Sequence, residues 1–181
     1  MHKCLLKVFN CILCDGFYPS CWGSGYIVPL FKGGDKSLPV NYRGITVMSC
    51  LAKLFNTILN NRLDKFLEDR EAIDCRQIGF KKKARTSDHV FVLRSLIDKY
   101  ARKSSKLFAS FIDFRKAYDK VDHVFLIFKL MRSGIGGNFI KLLKDSYLIK
   151  GFDVSIKVNN MLSRPFKSAS GVRQGDPLSC N

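Results

Sequence analysis

The chain has 181 residues, 46% of them hydrophobic and 25% charged, a mixture that suits a folded domain with a real core and excludes disordered or low-complexity classes. Its 31 Lys and Arg against 15 Asp and Glu leave a formal charge of +16, a field that draws polyanions, with nucleic acid first among them. No apolar run is long enough to span a bilayer, and seven Cys without a regular framework point to a reducing, intracellular setting, so membrane and secreted classes drop out. Nothing in the sequence separates nucleus from cytoplasm.

In chain order, Leu5, Leu6, Val8, Phe9, Ile12 and Leu13 predict a short helix over residues 3–17. Tyr26 to Leu30 reads as a strand, placed near an edge because Pro29 lacks one ladder donor. Lys32-Gly33-Gly34-Asp35-Lys36 is a charged turn. Leu51, Leu54, Phe55, Ile58, Leu59, Leu63, Phe66 and Leu67 then fall at three- and four-residue steps. They predict a helix capped by Ser49, with Lys53, Asn56, Asn60 and Arg62 on its wet side. Ser87 is expected to cap a second helix with the stripe Val90, Phe91, Leu93, Ile97 and Tyr100.

Residues 107–114 form a nearly continuous apolar run, expected to be a strand buried on both faces with Asp113 near its end. Two helices are predicted over residues 124–131 and 139–148, parted by Gly134, Gly136 and Gly137, with Asn138 as cap. Residues 152–158 alternate strictly and predict a half-buried strand turned by Asn159-Asn160. A Gly-containing loop from Ser170 leads to Asp176-Pro177, poised to open a helix.

A carboxylate at the end of an apolar strand needs a partner or a metal, which singles out Asp113, although local amides often suffice. Asp119 and Asp122 read more simply as helix-capping groups. Lys81, Lys82, Lys83 and Arg85 form one basic cluster, and Lys99, Arg102, Lys103 and Lys106 another. Each cluster alone is an ordinary solvated face; the summed charge favours contact with nucleic-acid phosphates. Cys11 and Cys14, flanked by Cys4 and Cys21, have a zinc-like spacing. Zinc is disfavoured, because Cys4, Cys11 and Cys14 share one helix side where free Cys packs as a small hydrophobe.

Several segments together carry a family likeness. The run from Phe111-Ile112-Asp113-Phe114 through Tyr118-Asp119 to His123 resembles the first palm motif of reverse transcriptases from non-LTR retrotransposons. Ser170-Gly171-Val172-Arg173-Gln174-Gly175-Asp176-Pro177 resembles the second. Pro19-Ser20 with Trp22, followed by the run from Ile27 to Asp35, is similar to the fingers motif. Asn41-Tyr42-Arg43, Gln77-Ile78-Gly79-Phe80 and Ser87-Asp88 stand in the expected order. The likeness is strongest to jockey- or CR1-like elements.

The resemblance implies an α+β, partial right-hand polymerase fold: helix-rich fingers over residues 1–106, then an incomplete antiparallel palm sheet backed by helices over 107–181. It implies an RNA-directed DNA polymerase, a nucleotidyltransferase adding deoxynucleotides to a primer 3′-hydroxyl by two-metal phosphoryl transfer. Its partners would be an RNA template, a DNA primer and deoxynucleoside triphosphates. Asp113 would be catalytic and, with the Phe114 carbonyl, would hold a pair of Mg²⁺ ions. Tyr118 would lie under the incoming sugar, Lys32 and Arg43 would grip the triphosphate, and Gln174 and Gly175 would pack against the nascent base pair. Arg173 would meet template phosphate. The family's third palm motif, with its Asp-Asp pair, has no counterpart in the chain. The expectation is therefore a fragment inactive by itself, with exposed apolar strand faces and poor solubility. The alternative is a non-catalytic, basic RNA- or DNA-binding remnant.

Overall fold

The structure, a computed structural model, describes residues 2–81, 84–149 and 152–180. Helix α1 spans His2–Asp15, strand β1 Ser24–Phe31, strand β2 Tyr42–Met48 and helix α2 Cys50–Asp69. Helix α3 covers Thr86–Arg102, α4 His123–Arg132 and α5 Gly137–Lys144. Strands β3 (Phe152–Val158), β4 (Met161–Leu162) and β5 (Phe166–Ser168) follow.

The five strands form one sheet in the order β2-β1-β3-β4, with β5 also on β3. β1 pairs antiparallel with β2 and parallel with β3, while β4 and β5 pair antiparallel with β3. Within residues 107–181 the strands pair antiparallel with one another, and it is the parallel pairing of β3 with β1 that makes the sheet mixed. A parallel neighbour can be far away in sequence, and no local pattern announces it. β3 pairs with β1 only from Ser24 to Ile27, so Pro29 lies where β1 is flanked on one side, and its missing donor leaves no ladder gap. Asn159 and Asn160 take positive φ of 47° and 64°, the geometry that turns a two-residue hairpin between β3 and β4.

Two apolar clusters meet along α2 and α5. Phe9, Tyr18, Trp22 and Phe55 pack as tilted and edge-on rings around Ala52, Leu59 and Leu142. Leu63 and Leu67 of α2 meet Ile127, Ile135, Ile140, Leu143 and Tyr147. Residues before and after position 106 thus share both the sheet and the core.

The buried stripe of α2 is Ala52, Phe55, Asn56, Leu59, Leu63 and Leu67; Leu51, Leu54 and Ile58 are exposed. The reading of Asn56 as a wet-side residue is overturned, since it is 1% exposed. Ser49 sits at the N-cap of α2 without a side-chain capping bond. At α3 the N-cap is Arg85, not Ser87, and its backbone N donates to Asp88 Oδ2 at 2.9 Å. Asn138 does not cap α5; its amide Nδ2 reaches back to the Cys14 carbonyl at 2.6 Å and ties α5 to the end of α1. Cys4, Cys11 and Cys14 are exposed thiols, because α1 turns Phe9 and Ile12 inward instead.

The largest departure is residues 107–114. This run forms no strand, and Phe108, Phe111 and Ile112 are 88%, 82% and 84% exposed. An apolar run supplies half of a ladder; a strand also needs a neighbour, and both sides of β3 are already taken. Helix α3, beside it in sequence, has no buried residue either. Among the described residues no helix is long and apolar enough to cross a membrane.

Candidate functional site

A cleft of about 330 Å³ lies on one face of the sheet. Its floor is Ile27 of β1, Gly44 and Thr46 of β2, and Phe152 and Val154 of β3. Its wall is built from Asp119, His123, Tyr147 and the loop from Ser168 to Gln174.

That loop is clasped from two sides. Gly171 N donates to Val121 O and Val172 N to Tyr118 O, both at 2.8 Å, fastening it to the single helical turn Tyr118–Lys120. His123, buried under Tyr147, donates from Nε2 to Gly171 O at 2.7 Å. On the other side Thr46 N donates to Gln174 O at 2.7 Å, so the loop runs along the free edge of β2. Gly171 has φ +84°, and a Cβ there would stand 2.9 Å from the Tyr118 carbonyl oxygen. Only glycine lets the backbones approach this closely.

Beneath the loop lies a buried polar network. Arg173 is 5% exposed; Nη2 donates to Ser146 Oγ at 2.9 Å and Nη1 is 3.6 Å from Asp176 Oδ2. Its guanidinium plane lies 3.9 Å from the Phe152 ring centroid and 5.0 Å from that of Tyr147. Asn56 Nδ2 donates to both Asp176 oxygens at 3.0 and 2.8 Å, and Tyr18 OH donates to Asn56 Oδ1 at 3.3 Å. Tyr18 N in turn donates to Asp145 Oδ2 at 2.8 Å. Burial pushes the Asp176 carboxyl above its usual range while Arg173 pulls it back. Burial also raises the Tyr147 phenol to about 12.

The structure gathers some of the expected site residues and separates others. Gln174 reaches the Tyr118 turn, its Nε2 donating to Asp119 Oδ1 at 3.3 Å, and Tyr118 itself is half-buried there. Gly175 has φ +111° and sits against Thr46 O, where a Cβ would be 3.0 Å away. Lys32 closes the β1–β2 connection through its backbone N to Asn41 O at 2.9 Å, with its side chain exposed. Arg43 is exposed and pairs with Leu30; by strand alternation it stands on the sheet face opposite Gly44 and Thr46, away from the cleft. Lys81 and Arg85 are exposed, and Lys82 and Lys83 lie outside the described residues.

Arg173 is a correction to its expected role. Its charge faces inward to Asp176 and Ser146, so it is not presented to a template phosphate. Asp122 does cap α4, accepting from Phe125 N at 2.9 Å, whereas Asp119 is engaged by Gln174. Sequence reasoning missed the network of Tyr18, Asn56, Asp145 and Ser146. The available signal was an Asp and an Arg three residues apart beside Gly175, in a segment too short to solvate both if buried.

Residues 32–181 match the reverse transcriptase (RNA-dependent DNA polymerase) family. The chain belongs to this family. It is similar to the probable RNA-directed DNA polymerase from transposon BS of Drosophila melanogaster, 31% identical over 87 residues, covering 48% of the chain and 10% of that protein. It is similar to the RNA-directed DNA polymerase from mobile element jockey of the same organism, 29% identical over 87 residues, again 48% of the chain and 10% of the relative. A putative 115 kDa protein in type-1 retrotransposable element R1DM, also from Drosophila melanogaster, is 32% identical over 81 residues, 43% of the chain and 8% of the relative. The likeness to jockey-like elements read from the motifs agrees with these relatives. The chain spans about a tenth of the length of each.

The family implies Mg²⁺, a cation that takes hard oxygen ligands such as carboxylates. Asp113 and Phe114 stand on the exposed, unpaired segment, with the Phe114 side chain 77% exposed. Among the described residues, no three His, Cys, Asp or Glu side chains gather into a metal-holding group. These residues do not make a two-metal centre between them.

Proposed function

We propose that the chain is part of an RNA-directed DNA polymerase that extends a primer on an RNA template, and that these residues do not polymerise by themselves. Residues 1–106 would be fingers and 107–181 the beginning of a palm in a right-hand polymerase. In the complete enzyme, Mg²⁺ at Asp113 and further carboxylates would serve the chemical step. This stretch would supply the surfaces around it: Tyr118 and Gln174 toward sugar and base pair, Lys32 and Arg43 toward phosphates, and Lys81 and Arg85 toward the template. The observation that carries the reading is the clasp that joins Tyr118, Gln174 and Gly175 to the edge of β2. It brings three motif-matched residues from two segments together at the edge of β2, as a base-pair-sensing surface requires. Arg43 on the opposite face would reach the same substrate only from the hairpin's other side.

The alternative, a basic nucleic-acid-binding remnant without catalysis, is favoured to the extent that no metal-holding group of three His, Cys, Asp or Glu side chains forms among the described residues. Primer extension in Mg²⁺ and binding to an RNA–DNA template-primer, read together, test both. The proposal expects salt-sensitive binding and no extension. Extension that disappears in Asp113→Ala would refute the claim of inactivity. Absence of binding at low salt would refute the nucleic-acid reading altogether.

A further inference from the structure

Away from the clasp, a cleft of about 430 Å³ lies at the start of α3. It is lined by Ile78, Gly79, Phe80, Lys81, Arg85 and His89, among others. We infer that Phe80 is a stacking platform for an unpaired nucleobase, so that this cleft takes single-stranded nucleic acid in preference to duplex. The inference rests on the nucleic-acid reading above and narrows it to one strand form.

Two features of Phe80 argue for it. Its side chain is 68% exposed, so it contributes little to any core. Its backbone sits at φ +61°, a left-handed conformation that a bulky residue occupies only under strain. A turn holds it there: Lys81 N donates to Ile78 O at 3.2 Å, closing the backbone around Gly79 and Phe80. A strained backbone that presents a ring to water stabilises nothing within the chain, and strain of this kind gathers where a ligand is met.

The surroundings name the ligand. Lys81 and Arg85 line the same cleft and give it two cations. Asp88, in the first turn of α3, is engaged by the backbone N of Arg85. A ring flanked by cations matches a strand that offers both bare base faces and phosphates. A duplex hides its base faces by its own stacking, so it would meet only the charges. The +16 total makes an anionic ligand the fitting occupant over an apolar peptide.

The test compares a labelled single-stranded RNA with the duplex of the same length, by fluorescence anisotropy at one salt concentration. Phe80→Gly removes the ring and accommodates the positive φ without strain. It is expected to weaken single-strand binding about tenfold or more, leave duplex binding unchanged, and leave the melting temperature equal or higher. Phe80→Tyr keeps a ring and is expected to bind the single strand as the parent does. The inference is overturned if Phe80→Gly weakens both ligands alike or neither, or if Phe80→Tyr loses as much as Phe80→Gly. A parent chain that binds neither ligand would instead bring down the nucleic-acid reading beneath it.

Discussion

Arg173 and Asp176 offer the sharpest measure of what holds the clasp in place. Their side chains are 5% and 1% exposed, and the carboxylate also takes two bonds from Asn56 and one from Leu178 N. Replacing Asp176 by Ala would leave the Arg173 guanidinium buried without its carboxylate and would take both acceptor oxygens from Asn56 Nδ2. Removing one partner of a buried pair costs about 3–5 kcal/mol. That is a large part of a domain's usual stability of roughly 5–15 kcal/mol. Arg173→Met keeps much of the contact with the Phe152 and Tyr147 rings and leaves the carboxylate with its Asn56 and Leu178 donors, so it should cost somewhat less. The double variant Arg173→Met with Asp176→Leu removes both charges, and its cost should fall below the sum of the single costs by about 2 kcal/mol. Urea unfolding followed by far-UV circular dichroism gives each value from the midpoint at constant slope. Single costs below about 1 kcal/mol, or additivity within about 0.5 kcal/mol, would refute the claim that these charges are buried and mutually dependent.

Three further outcomes are expected. Gly171→Ala would drive a methyl against the Tyr118 and Asp119 backbone and strain φ +84°, so the clasp should open; a loss of about 2 kcal/mol or more in the same urea assay would express it, and a neutral result would contradict the close approach. Burial raises the Tyr147 phenol to about 12, above the ordinary value near 10. The folded state therefore holds its proton longer than the unfolded one, giving stability fully present below about pH 10 and lost as pH rises toward about 12. A phenolate absorbance titration of the parent against Tyr147→Phe would show one late-ionising tyrosine, and an unchanged curve would count against it. Phe111→Lys with Ile112→Lys should reduce self-association measured by light scattering without changing the melting temperature, because both side chains already face solvent. A melting temperature lowered by several degrees would mean that these residues are packed after all.

How much of this was legible in the sequence depends on how local each cause is. The strand at β3 with its Asn159-Asn160 turn, the helix α2, the Asp122 cap and the family motifs all rest on short-range patterns, and each stands where the sequence puts it. Residues 107–114 show the limit of such patterns. Their apolar run states a preference for burial, but no partner strand meets it here, so the preference goes unmet. Asn56 shows the same limit on a helix: its neighbours place it on the wet side, and it is buried because Asp176, 120 positions away, and the Tyr18 hydroxyl meet it there.

By itself, then, the sequence determined the family, the basic charge, and the residues that line up with polymerase motifs, because these lie in residue identity and short spacing. Tertiary structure decided where those residues face. It turned Arg173 inward, set Arg43 on the far side of the sheet from Gly44 and Thr46, and joined Gln174 to the Tyr118 turn. A side chain's direction depends on which distant backbone fills the space beside it, and that is settled only when the parallel pairing of β1 with β3 and the clasp along β2 close the fold.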